Sequence, residues 1–113
     1  MTFNALSALV PRLNESRTAR TLMEVFPKTT QFRLDGEEGP YYLAIAEGRA
    51  TLARGVAPKV DIEVAGSSRA FARVITEKVD VTWPIAEGQV TVEQGKISEL
   101  TLLNRILGAA DRK

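Results

Sequence analysis

Hydrophobic positions change their period twice along this chain. Phe3, Leu6, Leu9, Val10 and Leu13 recur at the spacing of a helix with one apolar face, which Pro11 is expected to break or kink. Asn14 or Ser16 can cap a second helix, which carries Leu22, Val25 and Phe26 on one face and stops before Pro27. From Thr30 the period is two. Phe32 and Leu34 alternate with Arg33 and Asp35, and a turn follows at residues 36–39. Tyr41, Leu43 and Ile45 then share one face, with Tyr42, Ala44 and Ala46 on the other. Glu47-Gly48 marks a tight hairpin, Ala50 and Leu52 continue on the next strand, and Val60, Ile62 and Val64 alternate with Asp61 and Glu63 until Gly66 ends the run. The helical period returns after Ser67 or Ser68, with Ala70, Phe71, Val74 and Ile75 on one face. Trp83-Pro84 falls in a connecting loop, and Val90 and Val92 make a last strand. Ser98 is the expected cap of a final helix, with Glu99 just inside, Ile97 stapling onto Leu102, a stop at Gly108 and a frayed tail from Ala109 to Lys113.

The order is helix, helix, four strands, helix, strand, helix, which is an α+β domain with helices grouped around an antiparallel sheet. Residues 40 to 75 read as a curved sheet edged by a helix, a shape suited to enclosing apolar space. Nothing in the chain repeats or forms a linker, so the expectation is one domain over residues 1–113.

Composition removes more functions than it adds. The 113 residues are 44% hydrophobic and 26% charged with a net charge of +1, which gives no electrostatic footprint for nucleic acid and no polybasic membrane patch. There is no Cys and no His, so thiol redox, disulfides, imidazole metal sites and Ser-His or Cys-His catalysis are all out of reach. Asp35, Glu37 and Glu38 lie in a turn and Asp61 and Glu63 on an outward strand face, where nothing separates their pKa values for acid-base work. No catalytic residue, cofactor or metal is therefore expected. The N-terminus lacks the basic and apolar regions of a signal peptide, no run approaches the ~18 apolar residues of a membrane span, and a cytoplasmic location is the default.

Three stretches resemble one family in order and spacing. They are Phe32-Arg-Leu-Asp-Gly with Gly39-Pro-Tyr-Tyr-Leu-Ala-Ile; Gly48-Arg-Ala-Thr-Leu-Ala-Arg-Gly with Val60-Asp-Ile-Glu-Val; and Gly88-Gln-Val-Thr-Val-Glu-Gln-Gly95. Over roughly residues 25 to 108 the chain resembles the sterol carrier protein type two domain. The chain departs from the family in its late segment, where Gln89 takes the place of a lysine and an extra residue precedes Gly95, and after the middle helix, where Thr76-Glu-Lys-Val-Asp-Val-Thr-Trp-Pro replaces the family's Gly-Lys. The resemblance implies a five-stranded, mainly antiparallel sheet with helices packed on one side, and an apolar tunnel between the layers. It also implies non-catalytic binding or transfer of a fatty acid, fatty acyl-CoA, sterol or isoprenoid. The alternative is a dimerising or partner-docking accessory module that assists a lipid- or quinone-pathway enzyme.

The final helix supports a ligand wall independently. Leu100, Leu102, Leu103, Ile106 and Leu107 spread over roughly 160° of arc, against about 100° for a helix that only covers a core. A lipid, a second subunit or a third layer of the same domain would use the excess. The cavity candidates on the strands are Phe32, Leu34, Leu43, Ile45, Leu52, Val90 and Val92. On the helices they are Phe71, Val74, Ile75, Leu100, Leu103, Ile106 and Leu107, with Trp83 and Ile85 from the loop. Each is equally a core position. Trp83 is a surface cover or a lid, and Tyr41 or Tyr42 offers a hydroxyl at a pocket mouth or packs in the core. Arg54, Arg69 and Arg73 meet a headgroup or only water. A homodimer stays open, whereas nucleic acid and stable membrane insertion are not expected partners.

Overall fold

The computed structural model describes residues 2–111. Helix α1 spans Thr2–Glu15 and α2 spans Arg17–Glu24. Strands β1 (Thr29–Asp35), β2 (Tyr41–Ala46), β3 (Arg49–Arg54) and β4 (Ile62–Ser67) follow. Then come α3 (Ser68–Thr76), the short α4 (Thr82–Ala86), β5 (Val90–Gln94), α5 (Ile97–Gly108) and a 3-10 turn at Ala109–Asp111. The sheet has the order β3-β2-β1-β4-β5. Its central pair, β1 with β4, is parallel, and the other three pairings are antiparallel.

Alternation along the strands separates two faces. Phe32, Leu34, Tyr41, Leu43, Ile45, Ile62 and Val64 are buried toward the helices, whereas Arg33, Asp35, Tyr42, Ala44 and Glu63 are not. The helix layer is laid down by α1, which packs on α2, α3 and β3, and by α5, which meets α2, α3 and the 3-10 turn. Leu6, Leu9 and Leu13 of α1 are the buried stripe its sequence spacing requires. On the opposite face the β3–β4 connection folds back over β1. Gln31, fully buried, donates from Nε2 to the carbonyls of Tyr41 (2.9 Å) and Gly55 (3.0 Å) and accepts from the Ala57 N–H (2.8 Å).

The outer edge of β3 is blocked at one residue by a side chain. Asn14, next to the end of α1, donates Nδ2 to the Ala50 carbonyl at 2.9 Å and accepts the Ala50 N–H on Oδ1 at 2.8 Å. One amide thus reproduces the two bonds that a neighbouring strand would make, and it protects an otherwise open edge.

Several expectations are corrected. Helix α1 runs through Pro11 without a break. The ring and Ser7, whose carbonyl loses its bond, are both exposed, so that carbonyl is open to solvent. Of the two candidate caps, Ser16 takes the role, accepting the Ala19 N–H at 3.2 Å. Helix α2 ends at Glu24, so Val25 leaves its apolar face and stands 75% exposed, while Phe26 turns inward. Gly66 does not end β4 but lies inside it, with Ser67 as the α3 cap. Trp83-Pro84 is in α4 and not in a loop; Pro suits a first helical turn because the N–H it lacks has no partner there. The α5 cap is Lys96 rather than Ser98, and its N–H is held at 2.8 Å by Glu99. Ile97, half exposed, is the first helical residue. Ala109 and Ala110 are buried in the 3-10 turn and so are not frayed, while Arg112 and Lys113 lie outside the described residues. No helix among the described residues is long and apolar enough to cross a membrane.

Candidate functional site

The helices and the inner sheet face share one apolar cluster. It holds Phe32, Leu34, Leu43, Ile45, Phe71, Val74, Ile75, Val90, Leu100, Leu103, Ile106 and Leu107, all buried, with Leu52, Ile85 and Val92 packed against it partly buried. Trp83 is apart from it, at 66% exposure on α4. The broad apolar arc of α5 is covered within the chain by α2, α3 and the 3-10 turn, the third-layer alternative. Sequence reasoning left α1 out of the site, although Leu6, Leu9 and Leu13 belong to the same cluster as the candidates. Their spacing was legible; that this helix faces α3 across the sheet was not.

Four rings form a chain at one end of the cluster. Tyr41 stacks on Phe32 (centroids 5.2 Å apart, 19° between planes) and meets Phe3 edge-on at 5.2 Å; Phe32 meets Phe71 edge-on at 5.3 Å. The Arg54 guanidinium lies 3.9 Å above the Phe3 ring, so this arginine is spent on a cation-π contact. Beside the rings sits a polar knot. Glu37 Oε1 accepts the N–H groups of Thr2 (2.7 Å) and Phe3 (3.2 Å) and the Ser68 hydroxyl (2.5 Å), so it caps the first turn of α1 from the β1–β2 turn. Thr2 Oγ1 donates to the Ser68 carbonyl at 2.7 Å and lies 2.9 Å from Ser68 Oγ.

Partial burial would raise the Glu37 pKa, but the hydrogen bonds from Ser68, Phe3 and Thr2 outweigh it and hold the carboxyl below the ordinary 4.5. A depressed folded-state pKa contributes stability that is present above the unfolded value and lost as pH falls through the folded one. Acid titration followed by circular dichroism should therefore show Glu37→Gln with a flatter loss of stability below about pH 4.5 than the parent protein. Equal acid slopes would remove Glu37 from the capping role. The Tyr41 hydroxyl has its pKa raised, by burial first and by the Glu37 charge second, and stays protonated. Neither it nor Thr30 Oγ1, on the same sheet face, has a hydrogen-bond partner among the described residues.

Among the described residues, recesses open on the helical side, and two matter here. One, of about 280 Å³, lies between α1 and α3, with Ala5, Ala8, Leu9 and Ile75 as its floor and Arg12, Lys78 and Asp111 at its rim. Arg12 and Lys78 both bind Asp111, at 2.5 and 2.6 Å, and the Lys78 hydrogen bond is the main cause that holds the Asp111 carboxyl below its usual range. The second, of about 270 Å³, is lined by Ala70, Arg73, Val79, Trp83, Pro84, Glu87 and Gln89. Arg73 pairs with Glu77 at 3.3 Å, and Arg69 is exposed on α3. Both volumes fall just below the roughly 300–1,000 Å³ of small-molecule sites.

The carboxylates are dispersed. Asp35 and Glu38 are exposed, Asp61 accepts the Thr29 N–H at 2.9 Å, and Glu63 pairs with Arg33 at 2.7 Å. Among the described residues no group of three or more His, Cys, Asp or Glu is placed to hold a metal ion.

Comparison with known proteins places this geometry. The model of the SCP-2 sterol transfer family matches residues 3–107. Among solved structures, a protein titled UbiJ-SCP2 ubiquinone synthesis protein is 19% identical with a TM-score of 0.76, over 97% of this chain and 90% of that one. The sterol carrier protein domain 2 of Helicoverpa armigera is 21% identical with a TM-score of 0.75, over 99% and 90%. Sterol carrier protein 2 of Yarrowia lipolytica in its apo form is 16% identical with a TM-score of 0.72, over 98% and 90%. At these identities the structures share the fold. No curated protein matches the chain.

Proposed function

This chain belongs to the SCP-2 sterol transfer family, and from that membership we propose that it binds and carries a lipid, without catalysis, between its sheet and its helices. The observation that carries the reading is the continuity of the apolar cluster with the surface. Leu9 and Ile75 are members of the core and at the same time the floor of the recess between α1 and α3. An apolar chain entering there meets Val74 and Phe71 behind Ile75 on α3, and then the Phe32 and Tyr41 rings. Each Å² of its surface removed from water contributes about 25 cal/mol. A recess of this size admits a long lipid only if α1 and α3 move apart and the apolar side chains repack around it, so the ligand replaces contacts that the free protein makes with itself. Fifteen of the apolar candidates belong to or pack against that cluster and supply its walls, whereas Trp83 lines the second recess.

Native mass spectrometry of gently purified protein, together with displacement of a bound fluorescent apolar probe by fatty acids, acyl-CoA and isoprenoids, tests this directly. Ala8→Trp fills the recess from an exposed position. It should weaken lipid uptake by about tenfold or more while leaving thermal stability near that of the parent. Protein that never carries lipid, and a probe that nothing displaces, would sink the proposal.

A second reading, the partner-docking module, is favoured by Trp83. An exposed Trp beside a recess is the kind of anchor that dominates protein interfaces. The relative titled as a ubiquinone synthesis protein fits an accessory of this sort. We place the chain in the cytoplasm on this reading as on the first.

A further inference from the structure

The Tyr41 hydroxyl is buried, protonated and one hydrogen bond short. The residue is 0% exposed, and its oxygen has no partner among the described residues. Thr2 lies beside it, but the Thr2 hydroxyl is already engaged by Ser68 through both its carbonyl and its side chain, and the approach to Tyr41 does not reach bonding geometry. An apolar Phe would fill the same stacked position between Phe3 and Phe32 without that penalty. A buried polar group left without a bond calls for a reason, and a bond made in another state of the protein is one.

Resting on the carrier reading above, we propose that Tyr41 is the polar-head subsite, donating its hydroxyl proton to the oxygen of a bound lipid, and that the lipid it selects is a neutral amphiphile bearing a hydroxyl or carbonyl rather than a free carboxylate. The charges around the subsite decide the sign. Glu37 sits in the knot next to Tyr41, already holding the free N–H groups of Thr2 and Phe3 and the Ser68 hydroxyl. A ligand carboxylate would find those donors taken and would face a like charge in a poorly solvated place. Arg54 is the cation close enough to act on Tyr41, and its influence ranks behind that of Glu37; its guanidinium is over the Phe3 ring and reaches water. A neutral oxygen needs one donor and tolerates the adjacent carboxylate, which is what the Tyr41 end of the core provides.

Competition against the apolar probe at pH 8 with 1-hexadecanol, methyl palmitate and palmitate separates the cases. Hexadecanol and the methyl ester should bind about tenfold more tightly than palmitate. Tyr41→Phe should weaken both neutral ligands about tenfold, leave palmitate unchanged, and keep or raise Tm, because it removes an unpaired buried hydroxyl. Glu37→Gln, which lifts the like charge, should improve palmitate selectively and provides the test if Tyr41→Phe does not fold. Palmitate preferred by the parent protein overturns the proposal. So does a Tyr41→Phe protein that loses stability while its ligand ratios stay the same, because the hydroxyl is then structural. Lipids that all bind alike remove only this subsite, whereas lipids that bind nowhere remove the carrier reading with it.

Discussion

Gly66→Ala is expected to lower stability by about 3 kcal/mol or more, and Tm by about 12 °C or more, although it adds a single methyl group to a half-buried position. Gly66 sits inside β4 at φ +127°, where an L side chain is strained at about 1–3 kcal/mol. A Cβ there would also lie 2.2 Å from the Gln89 carbonyl oxygen and 2.9 Å from Val90 Cα. Both are backbone atoms, so the clash cannot be relieved by a rotamer change. Either β5 retreats or the Ser67 N–H to Gln89 carbonyl bond, 2.8 Å long, is lost, and with it the junction from which α3 starts. Gly39→Ala is the internal comparison. It has φ +102° but open space within 4 Å of the added carbon, so only the backbone term of about 1 kcal/mol applies. Urea unfolding of the two variants measures the difference, and equal midpoints would mean that β5 does not cross Gly66 as described.

Gln31→Leu should cost about 2–4 kcal/mol despite being nearly volume-conserving. The amide ties the middle of β1 to the backbone of the β3–β4 connection, and it satisfies the Tyr41 and Gly55 carbonyls and the Ala57 N–H at once. An apolar side chain leaves all three short of a partner away from water, and an unmet buried group costs more than the net worth of the bond it lost. Hydrogen exchange gives the local signature. The Ala57 amide should exchange far faster in Gln31→Leu while the β1–β4 amides keep most of their protection. Unchanged protection at Ala57 would show that water replaces the glutamine without cost.

These two residues show where sequence reasoning stops. Alternation located Tyr41, Leu43 and Ile45 on the inner face because burial on one side of a strand imposes a period of two, and the structure agrees residue by residue. The serine before α3 was legible because its side chain serves its own helix. Gly66 and Gln31 answer to partners 10 to 26 positions away, so local pattern reads the first as a strand end and the second as nothing. Helix α4 was missed for a different reason. Trp83-Pro84 looks like a breaker unless Pro is recognised as a first-turn residue, and the Asp80 carboxylate that accepts the Thr82 N–H at 2.9 Å was the available clue. Much the same holds for the site. The buried apolar positions could be listed from periodicity, whereas the capping of α1 by Glu37, and the unpaired hydroxyl next to it, exist only once the β1–β2 turn, α1 and α3 meet.

The Asn14 clamp on Ala50 has a consequence for how copies of this molecule can add to one another. Fibrils and domain-spanning sheets grow because each newcomer offers the next one a fresh row of unpaired peptide groups. Here the β3 flank presents Ala50 already bonded through both its N–H and its carbonyl, so a newcomer finds a gap in that row where it would have to dock. One side chain at a helix end thus removes one of the docking points that runaway strand addition would need.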